Sequence, residues 1–136
     1  MQTTTPKTIL ISDDDPVIVR MLEKILMRDG YRVLKAFTGK ETLEIAAKEL
    51  PFIIILDILM PDFTGKEIAE KLLSNPATAD IPIVFLTITI PLEDDKGEET
   101  VTVGTRTFRA MAKPMHTRKL LSIIRKEVNR RLHQNK

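Results

Sequence analysis

Apolar residues fall along this chain in two alternating patterns. Thr8–Ser12 (TILIS), Phe52–Leu56 and Ile81–Leu86 are short runs with little polar alternation, the pattern of strands covered on both faces, and Tyr31–Phe37 reads as a further strand. Between them apolar positions recur at helical spacing. Val17, Ile18, Met21, Leu22, Ile25 and Leu26 predict a helix that opens at Pro16, is capped by Asp15 and stops at Gly30. Thr38-Gly39-Lys40-Glu41 has capping-box spacing and starts a helix carrying Leu43, Ala46, Ala47 and Leu50. A third helix is expected over Gly65–Leu73, closed by Asn75-Pro76. Pro82 is expected near the start of the fourth strand, where a missing N–H does least harm.

The resulting β-α-β-α-β-α-β order predicts a doubly wound α/β fold, a parallel sheet with helices on both faces. A final helix is expected over 117–133, with Leu120, Leu121, Ile124, Val128 and Leu132 as one stripe. Residues 88–112 break the pattern. Pro91 and Gly97 oppose a long helix, and TVTVGTRTFRAMA is rich in β-branched residues. The reading there is an acidic loop followed by extended chain that turns back near Gly104, with any helix short.

At 136 residues the chain is expected to form one domain, with 1–7 as a flexible N-terminal segment. The absence of cysteine excludes disulfides and thiolate metal sites. The longest apolar run, Phe52 to Met60, is interrupted by Asp57 and is far below the ~18 residues of a membrane span. Nor does MQTTTPK resemble a signal peptide, so a cytoplasmic domain without membrane insertion is expected. Charge is uneven. Residues 1–105 hold 11 Lys and Arg against 18 acids, net −7, whereas 106–136 hold 10 against Glu127 alone, net +9. Such a segment suits an acidic partner or nucleic acid. Its only aromatic is Phe108, so it lacks a stacking surface, and specific nucleic-acid binding is not expected.

In open α/β sheets, ligand sites gather at the carboxyl ends of the strands. The predicted ends hold Asp13-Asp14-Asp15, Asp57, Thr87 and Lys113-Pro114. Three adjacent carboxylates exceed what capping requires. Asp57 follows Ile53-Ile54-Ile55-Leu56, a place where a charge is costly unless paired or bound to metal. Hard oxygen donors without histidine or cysteine suit Mg²⁺. A carboxylate beside such a cation can attack phosphorus, while a lysine and a hydroxyl hold the phosphoryl oxygens. Neither GxGxxG nor GxxxxGK[ST] occurs, which argues against nucleotide binding.

The strings ILISDDDP (9–16), IIILDILMPDFTG (53–65), PIVFLT (82–87) and AKP (112–114) together resemble the CheY-like receiver domain of two-component response regulators. The resemblance implies a flavodoxin-like five-stranded parallel sheet of order 2-1-3-4-5. It further implies that Asp57 accepts a phosphoryl group from a histidine kinase or phosphotransfer protein. By the same resemblance Asp13, Asp14, Asp57 and the carbonyl of Leu59 hold Mg²⁺, Thr87 and Lys113 contact the phosphoryl group, and the Lys113–Pro114 bond is cis. Leu59 and Thr89 are expected to flank the path of a hydrolytic water.

Three departures accompany the resemblance. The usual fourth helix is not evident and is expected to be short, missing or replaced by extended chain. The switch aromatic three residues before the lysine is Ala110, with Phe108 two positions earlier. A bulky Ile88 follows Thr87. The chain ends soon after its last helix, which leaves two expectations open: a stand-alone receiver that acts by docking to an unknown downstream protein, or a receiver whose output domain has been removed. It would be no enzyme beyond its own phosphorylation and dephosphorylation. The alternative readings are a receiver-like module that docks independently of phosphorylation and a small Mg²⁺-dependent phosphohydrolase.

Overall fold

The computed structural model describes residues 6–88, 92–93, 99–113 and 116–134. The elements run β1 (Thr8–Ser12), α1 (Pro16–Arg28), β2 (Arg32–Ala36), α2 (Gly39–Glu49), β3 (Ile53–Asp57), α3 (Gly65–Ser74), β4 (Ile83–Thr87), β5 (Leu92–Glu93), β6 (Glu99–Val103), β7 (Arg106–Ala112) and α4 (Thr117–Gln134). They form one sheet of order β2-β1-β3-β4-β7-β6-β5.

The first five strands in that order are parallel and carry the expected 2-1-3-4-5 topology. The five parallel strands anticipated are thus all present, and the sheet extends beyond them. Among the described residues it has seven strands, because β6 pairs antiparallel with β7 and the short β5 pairs antiparallel with β6. Extended chain replaces the fourth crossover helix. A parallel return from β4 to β7 needs a segment running backwards, and here β6 supplies it in the plane of the sheet. Thr100, Val101, Thr102 and Val103 favour the pleated conformation. The turn falls where the sequence placed it: Val103 pairs with Arg106, and Gly104 (φ +61°) takes the first position of the two-residue loop.

Two cores flank the sheet. On one face Ala46 of α2 and Ile68, Ala69 and Leu72 of α3 pack on Leu10, Ile54, Leu56 and Phe85. On the other, Val19, Leu22 and Leu26 of α1 and Leu120 and Ile124 of α4 pack on Ile9, Ile11, Ile55, Leu86 and Met111. All of β3 and β4 is buried, which explains their unbroken apolar runs. Each fully buried Ile or Leu contributes roughly 1.5–3 kcal/mol. Among the described residues no helix is long and apolar enough to cross a membrane.

Some predicted core positions lie outside these cores. Val17, Leu50 and Leu132 are exposed, and so is Ala47. Leu50 leaves the α2 stripe because it is the left-handed C-cap, φ 47°. In the last turns of α4 the anchor is Arg131, which stacks on Phe52 at 4.5 Å and donates to the carbonyls of Pro51 (3.3 Å) and Phe52. The caps follow the sequence more closely. Asp15 accepts from the Val17 amide at 2.9 Å. Thr38 accepts from Glu41 N at 3.1 Å, but Glu41 reaches back to Phe37 N, one residue before the reciprocal capping-box donor.

Candidate functional site

Register brings the chemistry together. Ser12 pairs with Leu56, and Asp57 pairs with Leu86, so Asp13 and Asp57 leave adjacent strands at one level. Thr87 pairs with Ala112 of β7, which carries Lys113 one residue beyond. The Lys113 amide donates to Thr87 O at 2.8 Å, fixing the base of the lysine side chain against β4. Its Nζ then lies 2.6 Å from Asp13 Oδ2 and 3.3 Å from Asp57 Oδ2. Asp13 is wholly buried, Asp57 and Thr87 are each 4% exposed, and Asp14 is exposed.

Each carboxylate is held by its own loop. Asp13 Oδ1 accepts from Asp15 N at 3.0 Å, and Asp57 Oδ1 accepts from Leu59 N at 3.3 Å. Asp15 itself is occupied in capping α1. Oxygens of Asp13, Asp14 and Asp57 lie within 4.8 Å of one another, and Asp13 Oδ2 is buried with no hydrogen bond besides its ammonium contact. A compact set of hard oxygens, one of them under-satisfied, fits a hard divalent cation. The Leu59 side chain is exposed. Thr89 and Pro114, and with it the cis Lys113–Pro114 bond, lie outside the described residues.

Burial, and after it the charge of Asp13, raises the pKa of Asp57, against the opposing pull of Lys113 and the Leu59 amide. For Lys113 burial is the largest single effect and disfavours the charge, but Asp13 and Asp57 together outweigh it and raise the pKa. The site is therefore a buried ion triad with one negative charge in excess. A raised carboxyl pKa contributes stability below the ordinary value of 3.8, and this is lost as pH rises through the folded value. Asp57→Asn is accordingly expected to raise the thermal midpoint by several degrees at pH 7 without metal, and to give no gain below pH 3.8. Melting curves of both proteins across that pH range check this.

Two positioning residues escaped the sequence reading. Gly65 opens α3 directly behind the end of β3. A Cβ there would stand 2.6 Å from Asp57 O and 2.7 Å from Ile58 Cα. The helix start is locked by a full capping box between Thr64 and Glu67, the same Thr-Gly-Lys-Glu tetrapeptide that opens α2. Asp62, in the loop between β3 and α3, caps α2 from a distance, accepting from Gly39 N at 2.7 Å and Lys40 N at 3.0 Å. These amides outweigh the opposing effect of burial and lower its pKa. The far half of the loop beyond Asp57 is thus pinned to two helix N-termini, to α2 through Asp62 and to α3 through Thr64.

Comparison with known proteins agrees with this architecture. Residues 9–125 match the family model "Response regulator receiver domain", and the chain belongs to that family. It is 42% identical over 79 residues to the response regulator PleD of Caulobacter vibrioides, covering 58% of this chain and 17% of PleD. Protein PilH of Pseudomonas aeruginosa is 35% identical over 88 residues, covering 65% of this chain and 72% of PilH. A CheY-like receiver domain structure from Methanospirillum hungatei superposes with a TM-score of 0.82 at 27% identity, covering 96% of this chain and 99% of the other. The chain spans less than a fifth of the length of PleD. Receiver domains are signalling phosphoacceptors that bind Mg²⁺ at an acidic site, and Asp13, Asp14 and Asp57 form an acidic cluster in this chain.

Proposed function

We propose that Asp57 is the phosphoryl acceptor of this receiver. An ionised Asp57 oxygen attacks the phosphorus of a phosphohistidine on a histidine kinase or phosphotransfer protein. The P–N bond breaks, the imidazole leaves with its electron pair, and an acyl phosphate remains on Asp57. The observation that carries this reading is the Lys113 ammonium between Asp13 and Asp57, a cation already placed where a phosphoryl group would bring negative charge. Thr87, at the end of the adjacent strand, is the hydroxyl assigned to a phosphoryl oxygen. Asp13, Asp14, Asp57 and the Leu59 carbonyl would hold Mg²⁺, which when bound neutralises charge on the transferring group. Hydrolysis of the acyl phosphate by water resets the site.

Incubation with acetyl phosphate and Mg²⁺, followed by acid quench and intact mass measurement, tests the assignment. The parent chain is expected to gain one phosphoryl group, and Asp57→Ala none. Equal gain in both proteins, or no gain in the parent with Mg²⁺ bound, would overturn it.

A second reading rests on the interior. Ala110 is 1% exposed where the family's switch aromatic would stand, and Phe108 is 5% exposed, edge-on to Phe85 at 5.9 Å beneath the Arg106 guanidinium. A phenyl ring packed on both sides is poorly placed to swing between core and surface. Docking independent of phosphorylation is the reading this favours. Amide NMR spectra that do not change beyond the Asp57 loop on phosphorylation would support it.

A further inference from the structure

One pair of buried polar groups has no part in the phosphoryl chemistry. Ser12, the last residue of β1, and Thr42 of α2 are both wholly buried, and their hydroxyls are hydrogen-bonded to each other. Thr42 Oγ1 also donates to Thr38 O, at the start of α2, over 2.8 Å. A hydroxyl has one proton to give, so Ser12 donates to Thr42. Two hydroxyls in an apolar core are costly unless bonded. Once bonded, they fix helix against strand with a direction that apolar contact lacks.

The same end of α2 is held from the β3–α3 loop. Asp62 accepts from the amides of Gly39 at 2.7 Å and Lys40 at 3.0 Å. Helix and loop meet without a gap: a Cβ on Gly39 would stand 2.7 Å from Phe63 Cδ2, 2.9 Å from Asp62 Oδ1 and 3.0 Å from Ile68 Cδ1. The loop is itself closed, since Leu59 bridges to Thr64 and Gly65 N donates to Ile58 O at 2.6 Å. The first turns of α2 therefore grip both segments of the acidic site. Ser12 adjoins Asp13 and Asp14, and the loop that holds Asp62 starts beside Asp57 and carries Leu59. The ladder between β1 and β3 ends at Ser12 and Leu56. Beyond that pair, no strand pairing sets the separation of the two segments.

We propose that α2 is a strut for the acidic site, with Ser12 and Asp62 as the positioning residues that set the separation of the β1 end from the β3–α3 loop. The inference rests on the reading of Asp13, Asp14, Asp57 and the Leu59 carbonyl as the Mg²⁺ ligands. Mg²⁺ demands near-octahedral oxygens at about 2.0–2.1 Å, and these ligands come from two chain segments. A small change in the separation of the segments spoils the geometry for all of them at once. Neither Ser12 nor Asp62 is among the ligands, and each acts through α2. A strut works only with both ends attached, so releasing either end removes most of its effect.

The test is a double-mutant cycle on Mg²⁺ affinity, read by titration calorimetry of the full chain with the metal alone. Ser12→Ala leaves no orphaned donor, because Thr42 still donates to Thr38 O. Ser12→Ala and Asp62→Ala are each expected to weaken Mg²⁺ binding about tenfold. The double variant is also expected near tenfold, whereas two unconnected sites would multiply to about a hundredfold. Asp62→Asn, which keeps one acceptor oxygen, is expected to lose less, and it takes the place of Asp62→Ala in the cycle if that variant does not fold. Thr78→Ala is the control for a general loss of stability. Its buried hydroxyl donates to Leu72 O at 2.7 Å, at the far end of α3. Its removal is expected to lower the thermal midpoint and leave Mg²⁺ affinity unchanged. Unchanged affinity in either single variant, a multiplicative loss in the double, or an equal loss in Thr78→Ala would each overturn the strut. Acetyl phosphate labelling of the parent at Asp57 keeps the phosphoacceptor reading standing in those cases. A parent that binds no Mg²⁺ would refute the metal site and the strut together.

Discussion

Gly65→Ala is expected to destabilise the fold by ~3 kcal/mol, or about 10 °C in thermal midpoint. The added methyl group would lie 2.6 Å from Asp57 O, 2.7 Å from Ile58 Cα and 3.2 Å from Asp57 C. All three are backbone atoms at the end of a fully buried strand, and none can give way as the tip of a side chain could. Ile58 O also accepts from Gly65 N at 2.6 Å, so α3 cannot retreat without losing that bond. Movement must therefore pass to Asp57, and phosphoryl acceptance is expected to fall along with stability. Gly30→Ala is the control. It strains a backbone at φ +94°, but nothing lies within 4 Å of the new Cβ, so its cost is expected near 1 kcal/mol. Chemical denaturation of both variants, beside acetyl phosphate labelling, separates crowding from backbone strain.

Lys113→Met is the second large effect. It removes the cation that faces Asp13 at 2.6 Å and Asp57 at 3.3 Å. Breaking a buried ion pair by deleting one partner typically costs 3–5 kcal/mol, because the surviving charge stays buried. The Lys113 side chain is 13% exposed, so water moderates the loss, and about 2–4 kcal/mol is expected without metal. Millimolar Mg²⁺ is expected to restore much of it, since a cation bound only by the folded state stabilises by mass action. The variant is also expected to bind Mg²⁺ more tightly than the parent, as no ammonium competes for Asp13 Oδ2. Titration calorimetry and melts at several Mg²⁺ concentrations check both statements. If Mg²⁺ gave the same stabilisation to parent and variant, the cation would not be sharing the carboxylates with Lys113.

One strand touches both the triad and α4. β7 carries Lys113 just past its end and Arg109 within it, and Arg109 is held by Glu127 of α4.

The sequence by itself determined the α/β alternation, the strand ends and the residues standing there. These are local properties. A run such as Ile53-Ile54-Ile55-Leu56 is apolar because both its faces are covered, and Asp57 is conspicuous because it interrupts that run. The hairpin at Gly104 was legible for the same reason, since β-branched residues and a glycine act within a few positions. Tertiary structure alone decided the rest. That β6 and β5 would extend the sheet to seven strands follows from pairing between segments, which leaves no periodic trace in either one. That Lys113 would bridge Asp13 and Asp57 depends on three strands ending at one level. Asp62 capping α2, Gly65 passing behind Asp57, and Glu127 lying buried between two arginines share one cause. In sequence each is an ordinary loop acid, helix-start glycine or helical glutamate, and its role comes from a group distant along the chain. Glu127 was visible as the only acid among ten basic residues, but composition cannot tell a solvated helix face from a buried clamp. Only the approach of β7 to α4 makes that distinction.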